Sequence, residues 1–193
     1  MSQSPTSIQV FYEATPNPEA MKFIATQALS PKTVFFEDVS QARLSPLAMK
    51  LFGFPWMQAV LIGPNFVTIT KQNWVDWPTL ADPLAHMIQE HLESGEPVLL
   101  EEQGTSSSSN DFADDPNDSP IVREIKRVLN FEVRPAVAMD GGDIIFHKYE
   151  EQKVYVYMQG SCSGCPSSTM TLKQGIEARL KEVIPEIDEV IAL

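Results

Sequence analysis

Between Glu101 and Ser119 the chain has almost nothing with which to build a core. The run Glu101-Glu102-Gln103-Gly104-Thr105-Ser106-Ser107-Ser108-Ser109-Asn110-Asp111 continues to Ser119 with Phe112 as its one large apolar residue. Such a segment cannot bury enough apolar surface to offset its ordering entropy. Residues 101–118 are therefore expected to form a flexible acidic linker between two small domains, 1–100 and 119–193. Each is long enough for a modest core. The stretch 101–119 carries six carboxylates and no Lys or Arg, which is half of the net charge of -12. An acidic chain repels phosphate backbones, so nucleic acid is not an expected partner.

In residues 1–100, short apolar strands are expected at Ile8–Tyr12, Met21–Thr26, Thr33–Phe36, Ala59–Ile62 and Phe66–Thr70. Gly63-Pro64-Asn65 reads as a hairpin turn. Ser45-Pro46 has the pattern of a helix start. Leu84, Met87, Ile88 and Leu92 recur at helical spacing, with Gly95 as a C-terminal cap. In residues 119–193, Ser119-Pro120 opens a helix whose apolar face is Ile121, Val122, Ile125, Val128 and Leu129, and Arg134-Pro135 is expected to stop it. Asp140-Gly141-Gly142-Asp143 reads as a tight turn using both glycines. Strands at Ile144–Tyr149 and Lys153–Met158 flank Glu150-Glu151-Gln152. A helix with Leu172, Ile176, Leu180 and Val183 on one face and a strand at Ile187–Leu193 follow. The fold class is α+β: two small α/β sandwich domains, the second a three-stranded sheet covered by two helices.

The chemistry points to Gly160-Ser161-Cys162-Ser163-Gly164-Cys165-Pro166-Ser167-Ser168, which holds both cysteines of the chain. They sit at a strand-to-helix turn with Pro166 suited to the first helical position. The helix N-terminus should favour the thiolate, and the Gly- and Ser-rich turn should be exposed. Two thiols are half of a four-ligand zinc or iron–sulfur site. The economical solution is two chains sharing one centre on a two-fold axis. A thioredoxin-like dithiol and a zinc-bridged interaction module are the alternatives. His86 and His91 belong to the first domain and His147 to a surface strand, so no Cys/His set completes a zinc site. Asp140 and Asp143 are explained by turn geometry better than as paired carboxylates. Trp56, Trp74 and Trp77 read as core or rim residues. No apolar run is long enough to span a bilayer. The first residues show neither a secretory nor a transit pattern, so a cytoplasmic protein is expected.

With these residues in place, the chain resembles the NifU-like (Nfu) iron–sulfur cluster scaffold and carrier family. The matching residues of the second domain are Arg134-Pro135, Asp140-Gly141-Gly142-Asp143-Ile144, the whole cysteine turn from Gly160 to Ser168, Thr171-Leu172-Lys173 and Gly175-Ile176-Glu177. Those of the first are Thr15-Pro16-Asn17-Pro18, Lys22-Phe23, Ser45-Pro46-Leu47-Ala48, Leu51-Phe52 and Phe66-Val67-Thr68-Ile69-Thr70-Lys71. The resemblance implies a non-enzymatic scaffold. It would bind a [4Fe-4S] cluster, or alternatively [2Fe-2S], across a homodimer through Cys162 and Cys165 of each chain. Upstream assembly proteins would load it and apo iron–sulfur client proteins would receive the cluster. The first domain, which has no cysteine, would take part in partner choice. Gly53-Phe54-Pro55-Trp56-Met57 is bulkier than the small-residue turn expected of the family at this place.

Overall fold

The protein is described here by a computed structural model covering residues 8–100, 117–163 and 166–193, with only the backbone for 166–168. Most of the expected linker, Phe112 and Cys165 lie outside the described residues.

The first domain is a five-stranded antiparallel sheet: β1 (Val10–Ala14), β2 (Ala20–Ala25), β3 (Val34–Phe36), β4 (Met57–Ile62) and β5 (Phe66–Lys71), in the order β1-β2-β5-β4-β3. Two helices, α1 (Pro46–Leu51) and α2 (Trp77–Glu93), contribute to the core on one side of it. Alternate strand residues meet them: Phe23, Val60, Ile62, Val67 and Ile69 share a core with Leu47, Leu51, Leu84 and Ile88. Gly95 takes φ +73° just beyond α2, as a C-terminal cap requires. Phe54 stacks on Trp56 at 5.0 Å, and Trp56 is buried, which accounts for the bulk of this turn. Trp74 is exposed at the rim.

The second domain begins with α3 (Pro120–Val128), whose cap is the Ser119 hydroxyl accepting from Val122 N–H. Pro135 does not stop this helical run, contrary to expectation. Residues Leu129–Val133 widen into a π turn in which Arg134 N–H reaches Leu129 O, five residues back. The chain then re-enters α geometry as α4 (Arg134–Met139), with Pro135 in its first turn, where a missing N–H is harmless. Two strands follow, β6 (Gly142–Glu150) and β7 (Lys153–Gly160), paired antiparallel. Glu151 and Gln152 both take positive φ, 50° and 61°, giving the tight two-residue reversal without glycine. Helix α5 (Pro166–Val183) then carries the chain to β8 (Glu189–Ala192), which lies parallel to β7. Ile125, Leu129, Ile144, Val156, Ile176 and Leu180 centre the core.

The two domains are not simply tethered. One row across the sheet of the first, Glu13–Lys22–Thr68–Leu61–Phe35, is set by the registers of its strands. Thr68 and Leu61 are fully buried although neither belongs to the helix-covered core. Their cover is the end of the second domain that holds the cysteine turn. A Cβ at Gly141 would lie 2.7 Å from the Thr68 hydroxyl, and one at Gly160 would lie 2.6 Å from a Leu61 methyl. Lys22 Nζ donates to Met139 O at 2.8 Å. The sequence pattern showed only the strands, because Thr68 and Lys22 are the residues expected of a solvated face.

Ser45 ties the first domain together at α1. Its side chain accepts from Ala48 N–H at 3.0 Å and donates to Val98 O, wholly out of water. Ser45→Ala removes a cap and strands a buried carbonyl, so it should destabilise the protein by about 2 kcal/mol in urea unfolding. The exposed cap mutant Ser119→Ala should cost about half as much.

Candidate functional site

The turn after β7 is built by backbone approach. Gly142 opens β6 and pairs directly with Gly160 at the end of β7. Gly160 takes φ +65° and Gly141 φ +78°, both suited to glycine. Gly142 does not, so the paired glycines have different reasons. A Cβ at Gly142 would sit 2.1 Å from Cys162 Sγ: the second glycine leaves room for the sulfur.

Hydrogen bonds fold the turn inward. Ser161 Oγ donates to Asp140 O at 2.6 Å, and Ser161 N–H to Gly141 O at 3.2 Å. Ser163 Oγ donates to Gly160 O at 2.8 Å, and Thr169 Oγ1 to Cys162 O at 3.0 Å. From the first domain, Asn17 Nδ2 donates to Ser163 O at 2.8 Å.

These contacts correct the expectation of exposure for Ser161 and Cys162; Gly164 and Cys165 lie outside the described residues. Cys162 is only 4% exposed and packs with the apolar core of its domain. The hydroxyls of Ser161 and Ser163 find partners in Asp140 O and Gly160 O, so their polarity does not require water. The expected thiolate is corrected as well. Burial pushes the Cys162 thiol up from 9.0 to about 12, the Ser161 contact pulls slightly the other way, and the charges of Asp140 and Asp143 add to the rise. Burial therefore favours the neutral thiol form of Cys162. Beside Cys162 lies a cavity of about 460 Å³, bounded by Ser161, Pro16, Thr171, Leu172 and Gly175. It is large enough for a bulky inorganic guest.

Of the other residues singled out from sequence, Asp143 is paired with Arg134 rather than with Asp140. Its two oxygens accept from Arg134 Nε and Nη2, both at 2.8 Å, and one of them also from Ile144 N–H. His147 is exposed and lies against the Tyr157 ring at 5.1 Å. His86 is exposed, and His91 is buried in the first domain beside Pro97 O. Among the described residues no group of three or more His, Cys, Asp or Glu side chains could hold a metal ion. Asn17 was read from sequence only as part of a turn. Its contact with Ser163 spans 146 positions, and nothing local signals it.

The comparisons with known proteins agree with this arrangement. The model described as "NifU-like domain" matches residues 125–191, and the one described as "Scaffold protein Nfu/NifU N terminal" matches residues 8–95. The human "NFU1 iron-sulfur cluster scaffold homolog, mitochondrial" is 38% identical over 178 residues, covering 91% of this chain and 68% of that protein. The chain belongs to the NifU-like (Nfu) iron–sulfur cluster scaffold family. A NifU-like protein of Schizosaccharomyces pombe is 34% identical over 98% of this chain and 74% of its own length. The scaffold homolog of Drosophila willistoni is 38% identical, but this chain spans only 60% of it. An NMR structure of a NifU-like protein from Saccharomyces cerevisiae covers 53% of this chain and 93% of its own, at 24% identity and TM-score 0.45.

Two outcomes test the geometry of this Nfu site. Gly175 lies within α5, and a Cβ there would meet nothing within 4 Å. Gly175→Ala should therefore raise the stability of the metal-free protein by about 0.5–1 kcal/mol in urea unfolding, through helix propensity alone. The second concerns pH. A thiol held neutral by the fold stabilises it below the unfolded-state value, and that stability is lost as pH rises through the folded value. The chain should lose more stability than Cys162→Ala between pH 9 and about 12. Parallel curves for the two proteins across that window would contradict the buried neutral thiol.

Proposed function

We propose that the chain takes up a [4Fe-4S] cluster between two copies of itself, ligated by Cys162 and Cys165 of each, and passes it to apo-proteins without itself being a catalyst. The observation that carries this reading is the glycine-cleared position of the Cys162 sulfur beside an open cavity, in a member of a cluster scaffold family. Two cysteines per chain supply half of the four thiolates such a cluster takes. The shortfall is met most simply by a second copy.

The cluster is cargo, and the environment of Cys162 suits cargo that must leave. Iron supplies the positive charge that makes a buried thiolate tolerable. If a client thiolate took the place of Cys162 on the iron, the freed Cys162 thiolate would be left in a low-dielectric site and would take up a proton. That proton uptake favours release over rebinding. Both thiols must stay reduced to accept iron, so a reducing compartment belongs to the same reading. Among the described residues no helix is long and apolar enough to cross a membrane.

Anaerobic reconstitution with iron and sulfide tests the proposal. Native mass spectrometry should show dimers carrying about four irons and four sulfides, and Cys162→Ser or Cys165→Ser should abolish stable loading. A single chain holding a complete cluster, or full loading of the Cys165→Ser protein, would exclude the bridged site. Zinc retained in place of iron would favour an interaction module.

A further inference from the structure

The first domain does more than accompany the second. Its Thr15-Pro16-Asn17-Pro18 turn lies against the cysteine turn. Pro16 bounds the cavity beside Cys162, and Asn17, 1% exposed, donates to Ser163 O at 2.8 Å. The remainder of Asn17 is held within its own turn. Its Oδ1 accepts from Glu19 N–H at 3.0 Å, and its N–H donates to the Thr15 hydroxyl at 3.2 Å. The turn is thus a preformed cap that presents one free amide group to the site. Beside it, Lys22 reaches Met139 O, the Thr68 hydroxyl meets Gly141, and Leu61 meets Gly160. All these contacts fall on the face of the five-stranded sheet opposite its helices.

We propose that the first domain is a closing lid over residues 161–163 of the cysteine turn, and that exchange at Cys162 requires the two domains to part. The lid and a second copy of the chain would then compete for one side of the second domain, a consequence that rests on the cluster-bridging reading above. The contact is built to open. It uses two long-range hydrogen bonds to backbone carbonyls and one fully buried aliphatic side chain at Gly160. It also leaves the Thr68 hydroxyl, against Gly141, buried without a hydrogen-bond partner among the described residues. Parting the domains returns the Thr68 hydroxyl to water, which offsets part of the lost packing. A partner that binds this sheet face would hold the lid away and so couple its own docking to exposure of the thiol.

The test uses the full chain with Cys165→Ser, so that one thiol reports. Asn17→Asp keeps the oxygen that accepts from Glu19, removes the amide that binds Ser163 O, and sets a carboxylate against that carbonyl. Leu61→Asp places a charge at the centre of the contact without touching the helix-covered core. Alkylation of Cys162 by iodoacetamide is followed by intact mass, and the radius of gyration by small-angle X-ray scattering. Leu61→Asp should expand the chain and raise the alkylation rate about tenfold or more, with Asn17→Asp several-fold faster than the parent. Expansion of the Leu61→Asp chain with an unchanged rate would show that the second domain alone shields the thiol, and would overturn the lid. Equal rates in the parent and the isosteric Asn17→Asp chain would overturn it too, even if Leu61→Asp fails to fold. Failure of the intact two-cysteine chain to take up a cluster in any form would refute the proposed function and leave the alkylation contrast standing.

Discussion

One pair of residues holds the site and the assembly of the domains together: Gly142 and Gly160, opposite each other where β6 begins and β7 ends. The first clears space for the Cys162 sulfur, and the second clears space for Leu61 of the other domain. Two strands must bring their backbones together here while a sulfur enters from one side and a sheet from the other. Any side chain on either glycine would displace one of those neighbours. Gly160 carries a second constraint, its positive φ, which turns the chain out of β7 toward Cys162. The turn chemistry that follows, with serines bonded back to Asp140 O and Gly160 O, depends on this reversal.

That close packing sets the chemistry of the thiol. In open solvent at a helix N-terminus a cysteine would lose its proton readily. Cys162 instead sits among apolar core residues, with Asp140 and Asp143 adding negative charge, and its proton is held tightly. A thiol buried in this way is a weak nucleophile. It is better suited to binding a group that brings its own positive charge and to recovering a neutral state when that group leaves.

The regular elements were legible in the sequence because each obeys a local rule. Ser45-Pro46 and Ser119-Pro120 start helices, Gly63-Pro64-Asn65 joins two strands, and the 3–4 spacing of Leu84, Ile88 and Leu92 marks the buried side of α2. Local reading failed where the outcome depended on distant residues. Pro135 looked like a stop, yet the π turn over Leu129–Val133 absorbs it, and the apolar positions Leu129, Val133 and Val137 gain burial by continuing. The cysteine turn looked exposed because serine and glycine are surface residues on average. Here the hydroxyls of Ser161 and Ser163 are bonded to Asp140 O and Gly160 O, and Ser163 O accepts from Asn17, 146 positions away. The two thiols and the motif around them could be found from sequence, but not the burial of Cys162.

The composition of the covered sheet face has its own logic. A face permanently sealed inside one molecule is normally apolar, and a face permanently in water carries many charges. The row Glu13–Lys22–Thr68–Leu61–Phe35 is neither. Lys22 keeps its ammonium paired with Glu13 at 3.1 Å while its stem is covered, so the charge is accommodated with the domains together and hydrated with them apart. Thr68 offers a small methyl for close packing against Gly141 and a hydroxyl that water can satisfy. Within this row Leu61 gains most from burial, and one such residue contributes roughly 1.5–3 kcal/mol. A contact that leaves a hydroxyl stranded is one that a partner binding the same sheet face can displace. The same residues thus satisfy two requirements that usually conflict: shielding a thiol when the chain is alone, and giving way when a second surface arrives.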